Sequence, residues 1–190
     1  MKKKVFSAMC VVCLAVVLVG CGSKEESTRG TAAITAQADE TGNYIVNGSF
    51  EKEDFTGWTI TNIENSTEEI NIYTRETDCF EGLQSLHFYS GSSDVNFTAT
   101  QALTGLENGT YKLTGHIQGD AAGDENASIY FYAVVDGEDL VAEAALSGYL
   151  NWYTAELEVE VTGGEIEVGI SVTTAPGSWG TIDDITLVME

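Results

Sequence analysis

The chain has 190 residues, with 30 acidic against 8 basic side chains and a formal net charge of −22 at pH 7. A surface this acidic repels phosphate backbones and anionic headgroups, which sets nucleic acid aside as a ligand, whereas a neutral sugar meets no such repulsion and a cation is drawn in. Most of the acids serve solubility, and beyond Thr41 only Lys52, Arg75 and Lys112 are basic.

At the start, Lys2-Lys3-Lys4 precedes an almost wholly apolar run from Val5 to Gly20 that closes on Leu18-Val19-Gly20-Cys21. This is the pattern of a bacterial lipoprotein signal, and the run is shorter than the roughly 20 residues that span a bilayer. Residues 1–21 are therefore expected to be a signal peptide with Cys21 lipidated. The protein would sit on the extracellular face of the cell membrane, touching it through the lipid anchor only. Cleavage would remove Cys10 and Cys13 and leave Cys79 as the one thiol of the folded part, so no intramolecular disulfide is expected. Residues 22–41, rich in Ser, Thr, Ala, Glu and Gly and without apolar periodicity, read as a flexible, disordered linker. Residues 42–190 suit one domain and leave no room for a catalytic barrel of about 250 residues.

Within that domain the apolar period is two. Ser85 to Tyr89, Tyr111 to Gln118, Ser128 to Val135, Trp152 to Val161 and Glu165 to Thr173 all alternate, and each reads as a strand with one buried face. Turn signals separate them at Glu107-Asn108-Gly109, Gly119-Asp120, Asp136-Gly137, Ser147-Gly148 and Gly163-Gly164. About ten strands without long crossovers predict an all-β fold, an antiparallel β-sandwich of jelly-roll type.

The alternation also sorts faces. With Leu86, Phe88, Leu113, Ile117, Ile129 and Phe131 inside, the outer set is His87, Tyr89, His116, Gln118, Tyr130 and Tyr132. Aromatic and amide side chains of this kind stack on sugar rings and pair with their hydroxyls. Near the end, Gly177 and Gly180 flank Trp179, which predicts an indole standing out of a loop as a flat platform. Trp152 is expected to be partly exposed and Trp58 to lie in the core. Asp183 and Asp184 are expected on opposite faces of the closing strand.

The opening Asn43-Tyr44-Ile45-Val46-Asn47-Gly48-Ser49-Phe50-Glu51, then Thr56-Gly57-Trp58, together with the closing Gly180-Thr181-Ile182-Asp183-Asp184-Ile185-Thr186-Leu187, resembles the galactose-binding-like β-sandwich of many carbohydrate-binding modules. Leu86-His87-Phe88-Tyr89-Ser90, Phe97-Thr98-Ala99-Thr100-Gln101, Gly109-Thr110-Tyr111, Gln118-Gly119 and Gly177-Ser178-Trp179-Gly180-Thr181 resemble carbohydrate-binding module family 61. The resemblance implies a non-catalytic protein that binds β-1,4-galactan or galacto-oligosaccharides at the cell surface. Its subsites would surround Trp179. Such modules are often attached to galactanases, which implies work beside a galactanase or an uptake system. The residues agree physically, because the axial 4-hydroxyl of galactose leaves a patch of C–H groups that an indole covers. The implied ligand-binding residues are Trp179, Gln118, His87, Tyr89, His116, Tyr130, Tyr132 and Trp152.

Families of this fold commonly carry a structural Ca²⁺ between the first and last strands. The resemblance places it on Glu51 and either Asp183 or Asp184, with carbonyl oxygens from the turn that includes Ser49 and the loop that includes Gly82. Two acids with carbonyls and water meet the six to eight oxygens Ca²⁺ takes. Two other functions stand beside binding. A hydrolase needs two carboxylates about 5–10 Å apart, a spacing that so many acids meet by chance. A surface adhesin or assembly subunit needs an exposed apolar patch.

Overall fold

The computed structural model describes residues 31–62 and 69–190. The signal peptide, Cys21 and the linker up to residue 30 lie outside the described residues. The strands are β1 (Ile34–Thr35), β2 (Thr59–Asn62), β3 (Ile70–Tyr73), β4 (Ser85–Tyr89), β5 (Val95–Thr104), β6 (Gly109–Asp120), β7 (Ser128–Val135), β8 (Glu138–Glu143), β9 (Gly148–Val161), β10 (Glu165–Thr174) and β11 (Trp179–Met189). A single 3-10 turn, Glu76–Asp78, is the one helical element among the described residues.

These strands form the expected sandwich. One sheet runs β1-β5-β10-β7-β8 with β2 also on β5, and the other runs β3-β4-β11-β6-β9. Every pairing is antiparallel except the short β1 against β5. At Asp136-Gly137 both residues take positive φ, 53° and 81°, the pair a tight hairpin needs to join β7 to β8 without splaying them.

The period-two apolar residues meet between the sheets. Leu86 and Phe88 of β4, Leu113 and Ile117 of β6, Phe97 and Ala99 of β5, Phe131 of β7 and Ile182 and Leu187 of β11 are all buried in one cluster. Each large side chain so buried contributes about 1.5–3 kcal/mol. Trp58 joins them, stacked on Phe50 at 5.7 Å, and its Nε1–H donates to the Asn47 carbonyl at 2.9 Å. The opening segment closes on the last strand. The Asn43 Oδ1 accepts the N–H of Ile45 and of Leu187, both at 2.9 Å, and the Tyr44 N–H donates to the Leu187 carbonyl.

The linker expected over residues 22–41 is corrected in its last part. Ile34 packs against the core, β1 adds to the open edge of β5, and the Ala36 N–H donates to the Thr104 carbonyl at 2.7 Å. An exposed strand edge has N–H and C=O groups to offer, and a segment with one apolar residue suffices to take them. The compact unit thus begins at Thr31.

Candidate functional site

The outward face of the second sheet is built around β11, which lies between β4 and β6. Cross-strand partners share a face. Register therefore sets Tyr89, Trp179 and Asp120 in one row and His87, Thr181 and Gln118 in the next, with Asp183 opposite His116. Gly180 makes the close packing possible, since a Cβ there would lie 2.5 Å from the Phe88 ring. Trp179 is the first residue of this closing strand, not the tip of a loop; it is half-buried.

A cavity of 320 Å³ opens on this face, lined by Tyr73, Arg75, Asp78, His87, Tyr89, Tyr149 and Trp179. Tyr73 stacks flat on His87, with ring centres 3.7 Å apart and planes within 4°. The Tyr149 and Trp179 rings lie 6.2 Å apart with planes tilted by 51°, and Tyr89 and Tyr149 are 48% and 53% exposed. Asp78 is buried beneath them. Its Oδ1 accepts the Tyr149 hydroxyl at 3.0 Å and its Oδ2 accepts Arg75 Nη1 at 3.3 Å, so its charge is neutralised locally.

Below the rings the polar groups are incompletely bonded. His87 Nδ1, Thr181 Oγ1 and Gln118 Nε2 are buried without a protein partner, while Gln118 Oε1 accepts the Leu150 N–H at 2.5 Å. Three such atoms in one row are unusual, because a buried polar group left unpaired costs about 1–3 kcal/mol. Burial is the main force on His87 and brings its pKa down to about 4, against the opposite pull of Asp78. At neutral pH its imidazole is uncharged, with one nitrogen to donate and one to accept.

A second cluster lies where Asp183 and His116 pair. Phe80 stacks on His116 at 3.6 Å with planes within 8°, and meets Trp152 edge-on at 5.5 Å. His116 is held on both sides, by Thr154 Oγ1 at 3.0 Å from Nδ1 and by Asp184 Oδ2 at 3.6 Å from Nε2, and burial lowers its pKa.

The structure thus brings together His87, Tyr89 and Trp179 in the cavity, with Gln118 continuing the row of His87, and places His116 and Trp152 in the neighbouring cluster. Tyr130 and Tyr132 belong elsewhere and are corrected: they stand on β7, in the other sheet, and face out from the opposite side of the sandwich. Alternation tells which way a side chain points from its own strand but not which sheet the strand joins. Tyr132 is buried over Gly169 and its hydroxyl pairs with Thr100 Oγ1 at 2.6 Å. Tyr73, Arg75, Asp78, Phe80 and Tyr149 were not foreseen. Of these only Tyr149 carried a local signal, following the Ser147-Gly148 turn.

The acids proposed for calcium converge on one loop. Glu51 Oε1 accepts the N–H groups of Leu83 at 2.6 Å and Gln84 at 2.8 Å. Asp183 Oδ2 accepts those of Phe80 at 2.8 Å and Glu81 at 3.1 Å, and its Oδ1 accepts the Asp184 N–H. Asp183 is wholly buried, and desolvation pushes its pKa up to about 7 despite these bonds. A carboxylate has about four acceptor sites, so both acids retain lone pairs, and a cation would relieve the buried charge. This donor set fits Ca²⁺. Asp184 does not share in it: a bulge between Asp183 and Thr186, with Asp184 at φ 46°, breaks the alternation and turns its carboxylate to His116. Among the described residues no three acidic, His or Cys side chains gather, so a Ca²⁺ here would need carbonyl oxygens, those expected of Ser49 and Gly82 among them, to complete its shell.

Cys79 lies in the same loop. Desolvation, with the Asp183 charge next, pushes its thiol up to about 11, which keeps it protonated and unreactive at neutral pH.

No protein-family model matches the chain, and no curated protein matches it. Solved structures do. TmCBM61 in complex with β-1,4-galactotriose is 23% identical with a TM-score of 0.69, over 78% of this chain and 99% of that one. A family 16 carbohydrate-binding module is 15% identical with a TM-score of 0.56, over 77% and 99%. The K1 cleaved adhesin domain of Lys-gingipain from Porphyromonas gingivalis W83 is 13% identical with a TM-score of 0.55, over 75% and 96%. At these identities the likeness is one of fold.

Proposed function

We propose that this domain binds chains of β-1,4-linked galactose in the cavity on β4 and β11 and does not cleave them. The observation that carries the reading is the cavity itself: five rings, Tyr73, His87, Tyr89, Tyr149 and Trp179, line an open space of 320 Å³, and the His87 Nδ1 buried in its wall has no partner. Flat apolar walls suit the C–H face of a sugar and an unpaired imidazole suits its hydroxyl. The neutral His87, and an Asp78 already bonded to Arg75 and Tyr149, favour an uncharged ligand. The galactotriose bound to TmCBM61 supports galactose as the sugar.

Hydrolysis is less well supported, because it needs two carboxylates about the bond to be cut and Asp78 is the one acid among the described residues that line the cavity. The protein is read as held by lipidated Cys21 on the outer face of the membrane, retaining galactan beside a galactanase or an uptake system. A structural Ca²⁺ on Glu51 and Asp183 would fix the loop that carries Phe80. The adhesin reading draws on exposed Phe80, Leu83 and Leu150 and on the adhesin neighbour.

Affinity electrophoresis in gels containing galactan, cellulose, xylan or mannan decides among them. Retardation by galactan alone is expected. Free migration in every gel would end the sugar-binding reading and leave the adhesin, and release of reducing sugar by the same sample would make it an enzyme.

A further inference from the structure

Phe80 is 45% exposed, yet both its backbone and its ring are held. Its own N–H and that of Glu81 are fixed by Asp183, those of Leu83 and Gln84 by Glu51, and its ring is backed by His116 and edged by Trp152. The backing imidazole is itself bonded through one nitrogen to Thr154 and paired through the other with Asp184. A Phe needs none of this merely to fill space at a surface, and a solvent-facing ring loses the hydrophobic gain that burial would bring. The result is a rigid apolar plate on an otherwise acidic domain.

The plate adjoins the cavity through both segments that build it. Phe80 follows Asp78 of the cavity by two residues, at most about 7 Å along the chain, and Trp152 follows Tyr149 by three, at most about 11 Å. The Tyr149 hydroxyl bonds Asp78 and ties these segments to each other at the cavity side. Phe80 against Trp152 ties them again beyond it. A linear ligand leaving the cavity past Tyr149 and Asp78 meets this plate next.

On the reading of the cavity as a galactan site, we propose that Phe80 and Trp152 form an outer sugar subsite, so that the domain selects chains longer than the cavity alone can hold. The ligand class is an internal stretch of a β-1,4-galactose polymer. Preorganisation of the ring lowers the ordering cost of the contact, which is what the clamp on the loop provides.

Calorimetry on the intact protein with purified β-1,4-galacto-oligosaccharides of increasing length tests this, using the parent, Phe80→Ala and Phe80→Leu. In the parent, affinity should climb about tenfold between the shortest chain bound and the longest, the increment of one aromatic contact. Both variants should bind the shortest chain like the parent and lose the climb. Phe80→Leu keeps apolar bulk over His116 and separates loss of the flat ring from loss of the loop, with a thermal melt confirming the fold. A parent whose affinity is flat with length overturns the outer subsite, as does a Phe80→Leu variant that keeps the climb or is weakened equally at every length. A parent that binds no chain at all overturns the cavity reading beneath it.

Discussion

Replacing Trp179 by Ala separates recognition from folding, because the indole and the anchors of its strand are distinct. Ile182, Ile185 and Leu187 hold β11 in the core at 0–1% exposure, while Trp179 is half-buried on the outer face against Tyr89 and Tyr149. The stability lost should therefore be a part of the 1.5–3 kcal/mol of a fully buried side chain, about 1–2 kcal/mol. For a domain of this size that lowers the Tm by about 2–8 °C, and the melt should stay cooperative. Binding should fall much further. A central aromatic anchor typically contributes 2 kcal/mol or more, about 30-fold in Kd, and a millimolar to micromolar sugar complex holds only about 4–8 kcal/mol in all. Titration calorimetry with galactotriose, run at least 10 °C below the variant's melt, reads the two effects apart. A variant that binds within twofold of the parent would show that the indole does not touch the sugar. Loss of cooperative melting would show that it is core.

Three further outcomes follow from individual groups. Thr181→Val deletes a wholly buried hydroxyl that has no partner and does not line the cavity, so the protein should gain up to about 1–3 kcal/mol in a thermal melt with galactan affinity unchanged; a lower Tm would mean the hydroxyl is bonded after all. Calcium should raise the Tm of demetallated protein, by about 2.7 kcal/mol of stability at 100 times its Kd. Because the folded pKa of Asp183 is raised to about 7, the stability of its protonated form is full below its ordinary value of 3.8 and lost as pH rises through 7. Calcium must displace that proton, so its increment should be larger at pH 8 than at pH 5, and an equal increment at both would remove Asp183 from the site. For His87 the folded pKa of about 4 lies below the ordinary 6.5, so the unfolded chain binds the extra proton and stability falls as pH drops from 6.5 to 4. That is up to about 3 kcal/mol relative to His87→Gln in paired denaturant melts, and parallel curves would refute it.

The sandwich was legible because its cause is local. Leu86, Phe88, Leu113, Ile117 and Phe131 alternate with polar residues, and one buried face per strand requires that pattern. His87 and Tyr89 of the cavity were legible for the same reason, since they lie on a strand whose outward positions can be counted, while Trp179 was marked by its flanking glycines and read as a loop residue. The rest depends on long-range placement. Tyr73 reaches the site because β3 pairs with β4, and Asp78 because the 3-10 turn folds back to Tyr149 of β9, contacts between residues 71 positions apart. The bulge at Asp184 could not be read either, as nothing in Ile182-Asp183-Asp184-Ile185 announces a residue at positive φ. It decides which acid faces the loop and which faces His116.

The two sets of tyrosines show why outward residues of one type meet different ends. On the first sheet Tyr132 lies down across Gly169, where no side chain opposes it, and its hydroxyl closes on Thr100, so ring and hydroxyl are both used up. On the second sheet the space over Gly180 is filled from within by Phe88, which keeps Trp179 and Tyr89 on the outer side, and the segments around Asp78 and Tyr149 rise beside them as walls. A flat sheet face cannot enclose a sugar. It becomes a site only where chain from outside the sheet stands over it, and on this domain that chain is the stretch from Arg75 to Asp78, which leads into the loop held by Asp183 and Glu51. On the galactan reading the clamp acids act through position: by holding the backbone of Phe80 and Glu81 they set how Asp78, two residues earlier, stands at the cavity.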